Sequence, residues 1–169
     1  MNDIRLDLRR DFAEIYAHFA SRVQGFDPAG TDVLGGPGPV KMIEVGYEYA
    51  QAGWVVVAFD TRPDAEPDGE WTNLITEENM LARPHWREAG EAEGPVTLVQ
   101  PDGTETKLGE DAELAVPLGE LIKAVVIKAR EDGVFARLPK GPGCELGVEH
   151  FDGVYGWPQY EARGQDNLA

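Results

Sequence analysis

The chain has 169 residues, of which 42% are hydrophobic and 27% charged, and a single cysteine, so it can form one ordinary core but no internal disulfide. Its formal net charge of -16 disfavours binding to nucleic acid or anionic lipid, because both interactions depend on Lys and Arg. No apolar stretch approaches the roughly 20 residues that cross a bilayer, and the N-terminus lacks the apolar run of a secretory signal. We therefore expect a cytoplasmic protein without a membrane-spanning segment.

The first 24 residues predict an amphipathic helix that Gly25 and Pro28 end. Its apolar residues step by three or four positions: Ile4, Leu8, Phe12, Ile15, Phe19 and Val23. A neighbouring polar stripe is predicted to face solvent: Asp11, Glu14, His18 and Arg22. Residues 35–39, with three glycines and two prolines, predict a loop.

From Lys41 the hydrophobic period changes to two, which predicts a strand at residues 43–49. A nearly continuous apolar run at 54–59 predicts its hairpin partner and a central position in the sheet. Residues 60–73 contain Pro63, Pro67 and the pair Asp68 and Gly69, and therefore predict a loop.

The second half of the chain alternates short helical and extended patterns. Short helices are predicted at 76–82 and at 84 to about 92, a hairpin at 96–99 and 104–108, and extended chain at 114–116. A main helix at 118–131 is opened by Pro117 and stopped by Gly133. Strands follow at 134–138 and 144–150, and residues after about 158 are expected to form a loose tail.

These elements predict one globular domain over residues 1–169 of the α+β class. In it, a mostly antiparallel sheet packs against two main helices.

The negative charge is unevenly distributed along the chain. Residues 44–113 contain 17 Asp and Glu against four Lys and Arg, a balance of -13. Charge concentrated in this way repels itself in a compact state, and attraction of a basic partner would explain it. A device for solubility is the competing explanation.

No pattern in the sequence identifies catalytic, cofactor-binding or metal-binding residues. Cys144 and His150 would lie about 20 Å apart on one strand, so a cysteine dyad would need His18 or His85 instead. Residues 64–69 begin like a calcium loop, but Ile75 occupies the twelfth position, where the pattern requires Glu. Phosphate-loop and serine-hydrolase motifs are absent from the sequence, and no zinc-site spacing occurs.

Residues 47–71, which read YEYAQAGWVVVAFDTRPDAEPDGEW, resemble segments of small acidic bacterial proteins of the immunity type. Such proteins are cytoplasmic inhibitors encoded beside polymorphic toxins. The resemblance implies a cognate toxin as partner, and many such toxins are nucleases with a basic cleft that an acidic protein can occupy.

The leading hypothesis is a non-enzymatic inhibitor that neutralises a basic protein partner, such as a nuclease-type toxin, through an acidic face. The predicted partner-binding residues lie in or beside the loop that follows the apolar strand: Asp60, Asp64, Glu66, Asp68, Glu70 and Trp71. Trp71 fits equally well as an anchor of this loop in the core. Two alternatives stay open, namely a metal-dependent enzyme with a carboxylate-lined cleft and a structural or assembly subunit. The oligomeric state is left open.

Overall fold

The computed structural model describes residues 4–26, 40–48, 52–59, 71–78, 84–91, 94–109 and 114–157. The helices in these ranges are α1 (Leu8–Gly25), α2 (Pro84–Glu91) and α3 (Ala115–Glu131). The strands are β1 (Ile4–Asp7), β2 (Val40–Tyr47), β3 (Ala52–Phe59), β4 (Trp71–Glu78), β5 (Val96–Val99), β6 (Glu105–Leu108), β7 (Lys140–His150) and β8 (Gly156–Trp157). None of these helices is both long enough and apolar enough to cross a bilayer.

The fold is α+β, as predicted, but the strands form two mixed sheets instead of one mostly antiparallel sheet. The smaller sheet has the order β1-β5-β6, and the larger has the order β4-β3-β2-β7-β8. The pairs β1 with β5 and β2 with β7 are parallel, whereas the other four pairs are antiparallel. Two parallel pairs require long connections across the fold, which local sequence patterns do not reveal.

The core extends from one sheet to the other through two helices. Helix α1 packs against β5 and α3, and α3 packs on β7. The parallel register of β2 and β7 places Ile43 beside Leu146 and Val45 beside Val148, and all four side chains are buried. Side chains of β2 and β7 at the intervening positions are on the opposite face of the sheet.

The first residues differ from the predicted single helix over residues 1–24. Ile4 and Leu6 alternate with polar neighbours in β1, and helix α1 begins only at Leu8. A spacing of four residues from Ile4 to Leu8 fits a helix, but pairing with β5 satisfies the backbone of β1 as a strand. Asp7 marks the change, because its backbone is extended and its carboxylate accepts hydrogen bonds from the amides of Arg9 and Arg10, both at 3.1 Å.

We expect Asp7→Ala to lower the free energy of unfolding by about 1 kcal/mol, because it removes the acceptor that caps α1. Asp7→Asn retains a capping oxygen and should stay within a few tenths of a kcal/mol of the parent. Urea denaturation of the three proteins measures the difference. Equal destabilisation by Ala and Asn would show that Asp7 acts through its charge and not as a cap.

Several predicted elements are confirmed. The strands β2 and β3 form the predicted antiparallel hairpin, and β3 is internal to its sheet. Helix α2 begins at Pro84, and the turn between β5 and β6 contains Gly103 at a φ of 85°. Helix α3 ends before Gly133, whose φ of 71° favours glycine over other residues.

Four local predictions are wrong. The loop predicted at 60–73 extends too far, because residues 71–73 already belong to β4 and pair with β3. Residues 76–78 belong to β4, where they pair with β3, because tertiary pairing overrides a weak capping pattern. Residues 115–116 open α3 instead of being extended, and Pro117 is tolerated in the first turn because the amides there need no intrahelical acceptor. Residues 134–138 form successive turns that bury Val134, Phe135 and Leu138, and their spacing of one and three is not that of a strand.

The predicted loop at 35–39 and the predicted tail after about 158 lie outside the described residues. The same is true of residues 79–82 of the predicted short helix.

Candidate functional site

The sequence placed Asp11 on a solvent-facing stripe, but the structure buries it to 1% exposure. Its carboxylate oxygens both lie 2.9 Å from His85 Nε2, and Trp86 Nε1 donates to Oδ2 at 2.8 Å. Trp86 is fully buried and His85 is half-buried. Position 11 continues the buried line of α1 that also contains Leu8 and Ile15, so a buried carboxylate here needs the partners that α2 supplies.

We assign the cluster of Asp11, His85 and Trp86 to the attachment of α2 to α1. A carboxylate paired with histidine can also support acid-base chemistry or orient a metal ligand. Among the described side chains, however, no group of three or more His, Cys, Asp or Glu is arranged to hold a metal ion. The hydrogen bonds from His85 and Trp86 to Asp11 join α2 to α1, and we therefore assign the cluster a structural role.

A second cluster lies where β2 and β7 end side by side. Tyr47 is buried, and its hydroxyl donates to the carbonyl of Ala115 at 2.6 Å, in the first turn of α3. Its ring lies edge-on to the rings of His150 and Tyr155, with centroids 5.1 and 6.2 Å away. Tyr47 therefore connects the ends of two strands to the start of a helix.

The turn after β7 is held to this cluster by backbone hydrogen bonds. The amide of Phe151 donates to the carbonyl of Tyr47 at 3.1 Å, and the amide of His150 donates to that of Tyr155 at 2.9 Å. The amide of Asp152 donates to His150 Nδ1 at 3.2 Å, which requires an unprotonated Nδ1. His150 Nε2 is buried and has no hydrogen-bond partner among the described residues.

The turn and the start of α3 expose apolar side chains. Within the described ranges, the exposed large hydrophobic residues are Phe151 at 68%, Val154 at 44% and Val116 at 41%. Phe151 and Val154 belong to the turn, and Val116 follows the residue that accepts from Tyr47. All three therefore lie on the two elements that Tyr47 joins, the turn after β7 and the first turn of α3.

The same region is acidic. We call residues 46–48, 114–122 and 148–157 the acidic pole, because these three segments contain carboxylates but no Lys or Arg: Glu48, Glu120, Glu149 and Asp152. Lys123, one residue beyond, pairs with Glu120 at 3.2 Å. On the outward face of β2 and β7 the carboxylates continue with Glu44 and Glu145.

The surroundings of Tyr155 in the pole shift its pKa. Its hydroxyl donates to Glu120 Oε1 at 3.0 Å. Burial, followed by the hydrogen bond to Glu120 and the negative charge of that residue, raises the pKa of Tyr155 well above its usual value. All three causes disfavour the phenolate.

We expect this raised pKa to make the protein less stable in alkali. Above about pH 10 the unfolded state releases the Tyr155 proton while the folded state keeps it, so the stabilisation present below that pH is lost as pH rises toward the folded-state pKa. Tyr155→Phe should therefore make the loss of unfolding free energy shallower above about pH 10, as measured by urea denaturation across the alkaline range. Parallel curves for the two proteins would contradict the assignment.

The acids of the predicted partner-binding loop, Asp60, Asp64, Glu66, Asp68 and Glu70, lie outside the described residues. Trp71 is the first residue of β4, and its backbone pairs with Ala58. The predicted strand at 144–150 is confirmed, since it belongs to β7, which contains both Cys144 and His150. Cys144, Leu146, Val148 and His150 are all buried.

Sequence analysis missed Asp11, Phe151 and Tyr155. A signal existed for Asp11, which stands three residues after Leu8 and four before Ile15 and so lies on their line. Near Phe151, the pair Asp152 and Gly153 is typical of a turn. The local sequence pattern does not show whether Phe151 is exposed or packs over the end of the strand.

Comparison of the chain with protein-family models, with curated proteins and with solved structures finds no match.

Proposed function

We propose that this chain is a non-enzymatic binding protein that neutralises a basic protein partner, such as a nuclease-type toxin, and that the acidic pole takes part in the contact. The observation that carries the proposal is that the three segments of the acidic pole contain four carboxylates and no Lys or Arg, and also contain the exposed Phe151, Val154 and Val116. Interfaces commonly combine an apolar centre with a polar rim.

Charge at such a pole favours a partner of opposite sign. Carboxylates on the rim of an interface steer a basic protein toward it and raise the association rate, more than they strengthen the final complex. The charge of the whole chain, -16, acts in the same direction at long range. A nucleic-acid-binding cleft is one basic surface that an acidic protein can occupy.

The experiment begins by using the chain as bait in an extract of its own cells, at low and at high salt. We expect the bound protein to be basic and to be released by salt. If the neighbouring gene encodes a toxin, its product should be the captured protein, and an equimolar amount of this chain should stop its activity. Captured proteins no more basic than the extract as a whole would contradict the proposal.

Two variants of equal charge then separate a local from a general effect. Neutralising the pole with Glu48→Gln, Glu149→Gln and Asp152→Asn should slow association with the captured partner by about tenfold or more at low salt. The control neutralises three exposed acids elsewhere on α2 and α3, Glu88→Gln, Glu91→Gln and Glu131→Gln, and should change the rate much less. Equal slowing by the two variants would mean that the total charge of the chain, and not the acidic pole, steers the partner.

A further inference from the structure

We propose that Phe151 is the anchor of this interface and enters an apolar pocket on the partner whose border is formed by Lys or Arg side chains. The inference rests on the proposed function. It adds which surface of this chain makes the contact and which chemistry the partner's surface has. The occupant is a basic protein, and not a second copy of this chain.

Phe151 is exposed on a turn whose backbone is held by hydrogen bonds. Its amide is bonded to the carbonyl of Tyr47, and the amide of Gly153 donates to the carbonyl of His150 at 2.9 Å. Gly153 has a φ of 72°, a conformation that glycine adopts without strain. Together with the bonds from the amides of His150 and Asp152, these bonds fix the backbone of the turn, so binding through Phe151 would cost little backbone conformational entropy.

Two further exposed apolar side chains lie on the elements that Tyr47 joins. Val154 lies in the same turn, and Val116 lies in the first turn of α3, which Tyr47 ties to the turn. Glu120 stands one helical turn after Val116 and accepts the hydroxyl of Tyr155. Aromatic residues, Phe among them, are enriched in the buried centre of interfaces.

Charge complementarity favours a basic partner. The segments that meet at Tyr47 contain four carboxylates, Glu48, Glu120, Glu149 and Asp152, and Lys123 pairs with Glu120. Two copies of the chain joined through this pole would bring like charges together, which is costly at an interface. A pocket bordered by Lys or Arg would gain from the same carboxylates, and this selects a basic partner.

Two short fluorescein-labelled peptides of equal length and equal lysine content test the proposal with defined probes. One alternates Lys with Leu, and the other alternates Lys with Ser. We expect fluorescence anisotropy to show the Lys/Leu peptide binding the intact protein about tenfold or more tightly, a factor in keeping with burial of one large apolar side chain. Phe151→Ser should abolish most of this advantage, while Phe151→Leu, which restores an apolar side chain, should retain most of it.

The outcomes separate this inference from the proposed function. If both peptides bind equally and Phe151→Ser changes neither, the anchor is wrong while the attraction of basic partners stands. If neither peptide binds, both proposals fail. A concentration-dependent dimer that Phe151→Ser abolishes, seen by light scattering after size-exclusion chromatography, would overturn the basic partner as occupant. Thermal melting checks that each variant is folded, which the exposure of Phe151 leads us to expect.

Discussion

Asp11→Ala should lower the free energy of unfolding by about 3 kcal/mol or more, the largest loss that we expect from a single polar substitution in this protein. The substitution removes the acceptor of two donors at once. Trp86 Nε1 lies in a fully buried side chain and would be left unpaired, and His85 would lose its contact to α1. Chemical denaturation followed by tryptophan fluorescence measures both the stability and the environment of Trp86.

The control for this prediction lies one turn further along the same helix. Glu14 forms an exposed ion pair with Arg10 at 3.0 Å, and Glu14→Ala should change the unfolding free energy by no more than about 0.5 kcal/mol. Asp11→Asn keeps one acceptor for Trp86 and should lie between Asp11→Ala and the parent. If Asp11→Ala and Glu14→Ala were equally mild, the cluster would not have the structural role that its geometry indicates.

The fold class could be predicted because most elements carry a local pattern. The hairpin of β2 and β3, the hairpin of β5 and β6 and the end of α3 each follow from periodicity or turn residues within a few positions. The division into two sheets could not be predicted in this way. It depends on the parallel pairing of β1 with β5 and of β2 with β7, and the partners of each pair are separated by about half of the chain or more.

The buried Asp11 shows a different limit of sequence reasoning. When a single acid falls among the apolar positions of a predicted helix, it is ordinarily assigned to the solvent-facing side, because burying a charge is costly. Only the donors on α2, more than 70 residues away, make its burial favourable. The acidic pole is similar, since its four carboxylates come from three segments that are not adjacent in the chain, whereas the predicted acidic loop is continuous in sequence.

Gly119→Ala should destabilise the protein by about 1 to 3 kcal/mol, although Ala is the better helix former by about 1 kcal/mol at an ordinary helical position. A Cβ at Gly119 would overlap Tyr47 Oη and would lie 2.5 Å from Tyr155 Cδ1, so both rings would have to move. Movement of Tyr47 breaks its hydrogen bond to Ala115, and movement of Tyr155 disturbs the turn that presents Phe151.

Two further variants separate overlap from helix propensity, with urea denaturation as the measurement. Gly25→Ala, at the end of α1, adds a Cβ with no atom within 4 Å and should be neutral or slightly stabilising. Tyr47→Phe removes the overlapping oxygen, so Gly119→Ala should cost less in that background than in the parent, and the difference is the coupling energy of the two residues. Strict additivity would show that Tyr47 does not touch position 119. Coupling would instead establish that the absence of a side chain at Gly119 is what allows α3, β2 and the turn after β7 to meet at the acidic pole.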